Sequence, residues 1–305
     1  MTKSIIAQVG GTNAKVGKLL VNRLLPSRML AAVGPFVFLD HVYPTRFESQ
    51  VPKAPTGEAA HPHRGIATFT YVLSGALEHY DSAGHHGVVA AGGAQWMKAG
   101  WGVIHDENPS LDFQATGGVL HALQFWINLP ARHKAEAPAY LALHPTAVPE
   151  VLLPEAAGSL RVLLGALGDT TSPVSTSSPQ FMYHLQLNPK ATFTLATKAG
   201  LDYAAFVPAE PIRVNGEPHG QSELLLFGSE IGAITFTNPS IVPASVLVFG
   251  GEPMAEPTVM QGPFVMNSHA EIAKAYEDFF AGEYGQIKYE VVASPQDLSS
   301  RITLL

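Results

Sequence analysis

Apolar and polar positions follow one another in short runs along most of the chain, and this pattern predicts β-strands rather than helices. The runs are rich in β-branched and aromatic residues and stop at turns that contain glycine, proline or serine. The clearest predicted strands cover residues 66–73, 77–80, 87–90, 95–97, 120–129, 160–164, 181–187, 224–227 and 245–249. Strands at this close spacing are typical of a β-sandwich or a β-barrel.

One segment near the C-terminus carries a helical pattern instead. Ser268 and Glu271 form a capping box, in which each side chain can bond to the backbone N–H of the other residue. Ile272 and Tyr276 then recur at helical spacing, and Gly282 suits the residue that follows a helix end. The segment predicts a helix whose apolar stripe packs on a sheet.

A proline-rich stretch divides the strand pattern into two halves. Five prolines fall between Pro130 and Pro154, and proline at this density excludes a central strand because it cannot donate to the ladder. We therefore expect a first domain, a linker, a second domain that includes the helix, and a tail. Their predicted bounds are residues 1–135, 136–155, 156–290 and 291–305.

The tetrapeptide GPFV occurs twice, once before the first strand-rich half and once after the second. The two copies cover residues 34–37 and 262–265. This placement suits a pair of related domains whose chain ends cross over, and chance recurrence of four residues is the alternative.

Composition and charge exclude several classes of function. Charged residues make up 14% of the chain and hydrophobic residues 46%, which is typical of a well-packed globular protein. The net charge of -7 at pH 7 argues against direct binding to nucleic acid. The chain has no window of 18 apolar residues and no signal-peptide pattern, so we expect a cytoplasmic protein that does not contact membranes. The chain has no cysteine, so a metal site would need histidine and carboxylate ligands.

Two short segments carry such ligands, namely His61-Pro62-His63 and His105-Asp106-Glu107. Each segment places two metal-binding side chains two residues apart, and on a β-strand such residues face the same side. Two such strands lying side by side would direct three imidazoles and one carboxylate at one point. This set suits a divalent transition metal better than calcium or magnesium, which prefer oxygen ligands. The alternative is that the histidines are solvated loop residues.

With these segments placed, the chain resembles the pirin family of the cupin superfamily. The order and spacing of several stretches carry the resemblance, which covers roughly residues 1–285. The matching stretches are GPFVFLDH at 34–41, HPHRGIATFTYVLSGALEHYDSAG at 61–84, AQWMKAGWGVIHDE at 94–107, LQFWINLP at 123–130 and GPFVMNS at 262–268.

The resemblance implies an all-β fold with two cupin (jelly-roll) β-barrels in tandem and a short C-terminal helix. It also implies one divalent metal ion, in the first barrel only, held by His61, His63, His105 and Glu107. Fe(II) is the expected ion, and Mn, Co, Ni and Zn are compatible with the same ligands. The second barrel is expected to hold no metal.

Some bacterial members of the family open flavonols such as quercetin with molecular oxygen. The resemblance therefore implies a dioxygenase that takes O2 and a flavonol-like or other enolic aromatic substrate. Glu107 would then also act as the catalytic residue that accepts a substrate hydroxyl proton. The alternatives are a non-catalytic, redox-sensing, metal-dependent partner of a transcription or metabolic protein, and a metal-dependent isomerase or hydrolase.

The chain departs from the family pattern at three positions near the expected site. Ala67 replaces an acidic residue, so Glu107 is expected to be the only carboxylate ligand. Trp101 replaces an arginine and Lys98 replaces a small hydroxyl residue. These changes affect the identity of the substrate more than the binding of the metal.

Several further residues leave alternatives open. His79, His85 and His86 cluster near one turn, and we expect exposed hairpin histidines there rather than a second metal site. His41 and His121 could orient a metal ligand or serve elsewhere. Asp106 is expected at the surface or behind the ligands, Arg64 is expected to bind a carboxylate or form a salt bridge, and Trp101 is expected to line the cavity entrance or the core.

Overall fold

Two β-barrels built from antiparallel strands make up the protein, which a computed structural model describes over residues 1–289. The all-β prediction is therefore confirmed, whereas the predicted tail over 291–305 lies outside the described residues. The strands of the first half are β1 (Ile5–Val9), β2 (Thr12–Val16), β3 (Leu19–Leu25), β4 (Phe36–Phe47), β5 (His61–His63), β6 (Ile66–Ser74), β7 (Ala76–Asp81), β8 (His86–Ala90), β9 (Ala94–Lys98), β10 (Val103–Pro109), β11 (Gly118–Asn128) and β12 (Ala139–Leu143).

The second half continues with shorter strands. These are β13 (Glu150–Leu152), β14 (Gly158–Leu164), β15 (Ala166–Leu167), β16 (Thr170–Thr171), β17 (Gln180–Leu187), β18 (Thr192–Ala196), β19 (Asp202–Phe206), β20 (Ile212–Val214), β21 (Glu217–His219), β22 (Leu224–Phe227), β23 (Ala233–Thr237), β24 (Ala244–Gly251), β25 (Val259–Gln261) and β26 (Phe264–Met266). The α-helices are α1 (Leu111–Thr116) and α2 (His269–Phe280), and neither is long and apolar enough to cross a membrane.

Each barrel pairs a large sheet with a small one. In the first barrel, the strand order is β12-β9-β6-β11-β4-β3-β2 in the large sheet and β5-β10-β7-β8 in the small sheet. In the second barrel, the orders are β1-β22-β19-β24-β17-β14-β13 and β18-β23-β20-β21. The first barrel thus holds both candidate ligand strands, β5 and β10, as neighbours.

The ends of the chain cross between the barrels, as the GPFV repeat predicts. Strand β1 pairs with β22 of the second barrel, whereas β26 reaches the first barrel through a bridge between Arg64 and Phe264. The repeat glycines, Gly34 and Gly262, have positive φ values of 53° and 57°. A side chain at Gly34 would collide with the backbone of Gly251, so this glycine allows a close approach of the two barrels.

The predicted linker over 136–155 is not free of secondary structure. Strand β12 pairs with β9 at one edge of the first large sheet, and β13 pairs with β14 at one edge of the second. The prolines exclude a central strand, but they do not exclude edge strands whose residues lie between them. All four prolines of the stretch fall outside both strands, namely Pro138, Pro145, Pro149 and Pro154.

The apolar core lies mainly between the two large sheets. The rings of Phe36 and Phe125 in the first barrel both contact Phe249 of the second, at centroid distances of 5.1 and 5.2 Å. Along β6, Phe69 and Tyr71 face this shared core, whereas the alternating residues face the interior of the first barrel. The packing of the barrels on one another is therefore hydrophobic and extensive.

The interiors of the two barrels differ in polarity. The second is filled by apolar side chains such as Val162, Phe236 and Val248, which are fully buried or nearly so. The first contains buried polar groups, including Thr70 and Gln95. A polar interior needs hydrogen-bonding partners or a bound group, and this distinguishes the first barrel as the place for chemistry.

Helix α2 begins and ends where the sequence predicts. The Ser268 hydroxyl accepts a hydrogen bond from the Glu271 backbone N–H, and Gly282 has a φ of +81° just past the helix end. Ile272 is buried as expected, but Phe280 is exposed. The short helix α1, capped by Ser110, lacks a long apolar repeat and was not predicted.

Candidate metal centre

Strands β5 and β10 lie side by side and antiparallel, so that their histidines meet. In this pairing His105 stands opposite His61, and Val103 stands opposite His63. The turn before β10 uses Gly100 and Gly102, with φ values of +51° and +142°. Both glycines are required, because a side chain at either position would collide with neighbouring atoms.

The three predicted histidine ligands converge in one cluster. Nitrogen atoms of His61, His63 and His105 lie within 4.8 Å of one another, and the Nε2 atoms of His61 and His105 are 3.1 Å apart. The ring centroids of the three pairs are 4.4 to 5.0 Å apart. One ion can therefore reach all three side chains.

The hydrogen bonds of two of these histidines leave the correct nitrogen free for a metal. His61 Nδ1 donates to the Ala59 carbonyl at 2.8 Å, and His63 Nδ1 donates to the Pro263 carbonyl at 3.0 Å. A carbonyl can only accept, so the proton resides on Nδ1 and the Nε2 lone pair is available. Metal-binding histidines usually have such an N–H partner, and the donor set therefore fits a transition metal.

Burial keeps the two inner imidazoles neutral. Burial, with a smaller contribution from His61, lowers the pKa of His63 to about 3, although the Pro263 carbonyl opposes this shift. Burial also lowers the pKa of His105 well below its usual value. His63 and His105 are only 1% exposed, whereas His61 is exposed. The cluster thus offers two neutral ligands, His63 and His105, at neutral pH and is open on the His61 side.

Glu107 lies beside this cluster rather than inside it. Its Oε1 atom accepts a hydrogen bond from Gln95 Nε2, and Tyr140 Oη donates to Gln95 Oε1 at 3.0 Å. Its Oε2 atom is 3.8 Å from His105 Nδ1, which is too long for a hydrogen bond. The structure thus brings together three of the four predicted ligands and turns the fourth towards Gln95.

Glu107 belongs to a second cluster, with His105 and a histidine that was not predicted to be part of the site. Ligand atoms of His79, His105 and Glu107 lie within 4.8 Å of one another. The prediction that His79 is an exposed hairpin residue is wrong, because the side chain is 1% exposed. The sequence does contain a signal for this placement. His79 and Asp81 are two residues apart on β7, in the same spacing as the predicted ligands.

Of the two neighbouring histidines of this hairpin, His85 is half-buried and His86 is exposed, and each contacts a carboxylate. His85 Nδ1 contacts an oxygen of Asp81 at 2.8 Å, and His86 Nε2 contacts an oxygen of Glu78 at 2.9 Å. Both groups of potential metal ligands found among residues 1–289 lie on β5, β7 and β10.

Two predictions about supporting residues are decided by their contacts. His41 and His121 contact each other through Nε2 atoms that are 2.8 Å apart. His41 Nδ1 also lies 3.3 Å from the Ser222 hydroxyl in the second barrel. These contacts show that the two histidines do not orient a metal ligand. Arg64 forms a salt bridge with Asp278 at 2.7 Å, which is one of the two expected roles.

Two further residues near the site differ in exposure. Trp101 is 39% exposed and packs edge-on against Tyr284, so it lies at the surface rather than in the core. Asp106 is fully buried and accepts hydrogen bonds from Tyr289 and Asn108, both at 2.8 Å. Asp106 is therefore not a surface residue. The two hydrogen-bond donors compensate for the burial of its carboxylate.

Comparison with known proteins gives matches over both barrels. The family profile described as Pirin matches residues 18–127, and the profile described as Pirin C-terminal cupin domain matches residues 182–285. A pirin-like protein of Solanum lycopersicum is 33% identical over 276 residues, which are 87% of this chain and 87% of that protein.

Two further relatives carry the name of an enzyme. A Pseudomonas aeruginosa protein, provisionally named a quercetin 2,3-dioxygenase, is 36% identical over 252 residues, which are 83% of this chain and 87% of that protein. The crystal structure of a quercetin 2,3-dioxygenase from Acinetobacter baumannii is 30% identical, with a TM-score of 0.86, and the match covers 94% of this chain and 100% of that one. On these matches and this fold, the chain belongs to the pirin family.

Proposed function

We propose that this protein is a metal-dependent dioxygenase that cleaves quercetin-like flavonols, or related enolic aromatics, with O2. The observation that carries the proposal is the convergence of three imidazoles on one point that is open on the His61 side. The names of the Pseudomonas aeruginosa and Acinetobacter baumannii relatives support the substrate class.

His61, His63 and His105 would hold one divalent transition metal, and Fe(II) is the ion we expect. Imidazole ligands also accept Mn, Co, Ni and Zn, so the ligand set does not select one of these ions by itself. When bound, such an ion would act as a Lewis acid. It would stabilise a substrate enolate and support the reaction of that enolate with O2. Glu107 is the proposed fourth ligand, and it would exchange its hydrogen bond with Gln95 for the ion.

Glu107 is also the proposed proton acceptor. An enolic substrate must lose a hydroxyl proton to bind as an anion, and a carboxylate next to the site can take that proton. Among residues 1–289, hydrogen bonds reach only Oε1 of Glu107, and a free Oε2 beside the imidazoles supports this double role. Until Glu107 turns to the ion, the hydrogen bond from Gln95, which Tyr140 holds in place, would keep the carboxylate oriented.

The test is an assay of quercetin turnover with defined metals. The purified protein is loaded separately with Fe(II), Mn, Co or Ni, and the loss of the visible quercetin band is followed together with oxygen uptake. We expect uptake of O2 in step with quercetin loss for at least one metal. A His63→Ala variant should lose both metal and turnover, whereas His144→Ala, at an exposed position, should lose neither.

The opposite outcome would also be informative. If the protein binds metal but turns over quercetin with none of the four ions, the dioxygenase proposal is wrong. A non-catalytic, metal-dependent partner of a transcription or metabolic protein would then be the better interpretation.

A further inference from the structure

The side chain of His79 is held in one orientation next to the metal centre. Its ring stacks on Tyr140, with centroids 4.3 Å apart and planes only 6° from parallel, and its Nε2 atom lies 3.2 Å from Asp81 Oδ2. The opposite residue on β8 is Gly87, where a side chain would collide with Tyr140. The glycine therefore makes room for the stacking that fixes the plane of the imidazole.

The carboxylate that holds His79 is itself fixed. Asp81 Oδ1 accepts hydrogen bonds from the backbone N–H groups of Ala83 and His85, at 3.0 and 2.9 Å. His85 Nδ1 contributes a further contact of 2.8 Å to Oδ2. Asp81 is thus a buried, well-anchored acceptor, comparable in role to a carboxylate that orients a catalytic histidine.

This arrangement determines which nitrogen of His79 carries the proton. A carboxylate accepts, so Nε2 must donate, and in the neutral imidazole Nδ1 then has a lone pair. Within the described part of the chain, Nδ1 of His79 is buried and has no hydrogen-bond partner. A buried acceptor without a donor is unfavourable, which suggests that its donor is a bound molecule.

The position of His79 shows what this lone pair can reach. His79 stands directly opposite Glu107 in the pairing of β7 with β10, and residues paired in this way share one face of the sheet. One ligand-capable atom each of His79, His105 and Glu107 lie within 4.8 Å of one another. The imidazole of His79 therefore faces the same side of the sheet as the proposed metal ligands, although the proposed mechanism does not use it.

We propose that His79 Nδ1 accepts a hydrogen bond from a hydroxyl group held between this imidazole and the proposed metal ligands, either that of a water molecule or that of the substrate. The substrate part of this inference rests on the proposed function, whereas the water part does not. The consequence is selectivity, because the site favours an occupant that can donate a proton over an anion that cannot, such as azide.

The experiment compares two probes on the Co(II)-loaded full-length protein, with binding followed by the absorption of Co(II). Azide has no proton to donate and displaces water, and quercetin, added without oxygen, carries hydroxyl groups. In His79→Phe, which keeps an aromatic ring next to Tyr140, we expect quercetin to bind about tenfold more weakly because one hydrogen bond is lost. We expect azide to bind several-fold more tightly, because the water that it displaces has lost its acceptor.

Two further variants separate the lost hydrogen bond from a structural effect. His79→Asn keeps an acceptor oxygen close to the position of Nδ1 and should restore both affinities towards those of the unaltered protein. His85→Ala removes one side-chain contact of Asp81 on the partly exposed side of the hairpin, and should change neither affinity. Cobalt content, measured for every variant, must remain the same.

The azide measurement decides the inference whatever the true substrate is. If the unaltered protein binds azide but not quercetin, the proposed substrate class fails, and the azide contrast still tests His79. Unchanged or weaker azide binding in His79→Phe would overturn the inference, and so would a folded variant that has lost its cobalt, since His79 would then be a ligand. If His79→Phe does not fold, the comparison of His79→Asn with His79→Gln replaces it, because glutamine places its polar end nearer to the position of Nε2.

Discussion

Residues around the candidate metal centre differ in how firmly hydrogen bonds and burial hold their side chains in one orientation. His63 has one backbone acceptor and full burial, so its free nitrogen can point in only one direction. Within the described part of the chain, Glu107 accepts hydrogen bonds on Oε1 and none on Oε2. We therefore propose the histidines as the permanent metal ligands, and the less constrained carboxylate as an exchangeable ligand that also accepts a proton.

Replacement of Glu107 by glutamine tests this assignment. The variant keeps the shape and an oxygen, but it cannot accept a proton, so we expect quercetin turnover to fall about 100-fold while the three histidines retain the metal. Metal analysis and oxygen uptake on the same sample provide the measurement. Glu48→Gln, at an exposed position, is the control. Unchanged turnover in metal-loaded Glu107→Gln would refute the role in proton transfer.

Residue patterns in the sequence predict the histidines of the site better than they predict the orientation of its acidic side chain. His61, His63 and His105 could be predicted because spacing by two on a strand determines their common face. The orientation of Glu107 could not, since it depends on Gln95, which approaches only when β9 and β10 enter different sheets of one barrel. His79 was misjudged because a histidine near a turn is usually exposed, and nothing local shows that β7 is the neighbour of β10.

Among the elements, the turn that leads into β10 has the strictest requirements. Gly102 has a φ of +142°, a conformation that only glycine adopts readily, and a side chain there would also collide with the buried ring of Tyr284. The turn sets the register of β10 against β5, and therefore the approach of His105 to His61.

Replacement of Gly102 by alanine should consequently affect both stability and metal binding. We expect a loss of about 3 kcal/mol or more in the free energy of unfolding, from backbone strain and overpacking together, and reduced metal content. Gly84→Ala is the matched control, because Gly84 has a φ of +91° but open space around it. It should lose only about 1 kcal/mol and keep its metal. Urea titration and metal analysis distinguish these outcomes, and equal losses would contradict the role of Tyr284.

Element boundaries follow from the sequence wherever periodicity and turns agree. The predicted strand over 66–73 is β6, and the predicted helix cap at Ser268 is the observed one. Strands β12 and β13 were missed because they have few residues and take part in edge pairing, which depends on a distant partner rather than on local pattern. Helix α1 has only six residues, too few for an apolar stripe to be visible.

For the whole molecule, the crossing of the chain ends links the metal centre to the C-terminal segment. The carbonyl that orients His63 belongs to Pro263, and a buried lysine secures the same segment. Lys134 donates to the carbonyls of Gly65 and Val265, both at 2.8 Å, and to Asn128 Oδ1 at 2.5 Å. The site is therefore built from distant parts of the chain that fold together.

Replacement of Lys134 by methionine should destabilise this junction. The change removes a buried donor that three acceptors share, although the Gly65 carbonyl keeps a second donor, the Leu129 N–H. We therefore expect the free energy of unfolding to fall by about 3 kcal/mol. Lys274→Met, which removes an exposed lysine from a surface ion pair, should change it by less than about 1 kcal/mol. Urea unfolding followed by tryptophan fluorescence measures both, and similar values for the two variants would show that the buried hydrogen bonds contribute little.

The contact between the barrels contains a buried histidine pair that makes stability depend on pH. Burial, together with the neighbouring His121, lowers the pKa of His41 to about 3, and burial lowers the pKa of His121 to about 4. In the unfolded chain both values return to about 6.5. Between these limits the unfolded state binds more protons, so stability is complete above about pH 6.5 and decreases as the pH falls towards 4.

At pH 5 each histidine should therefore reduce the free energy of unfolding by about 2 kcal/mol relative to its value well above pH 6.5. Replacement of His121 by glutamine keeps a polar nitrogen near His41 but cannot titrate, so the loss between pH 8 and pH 5 should shrink by about 2 kcal/mol. His144→Gln, at an exposed position, should leave that loss unchanged. Urea unfolding at the two pH values provides the measurement. If the unaltered protein and both variants lose the same free energy of unfolding between pH 8 and pH 5, the histidine pair does not cause the loss of stability in acid.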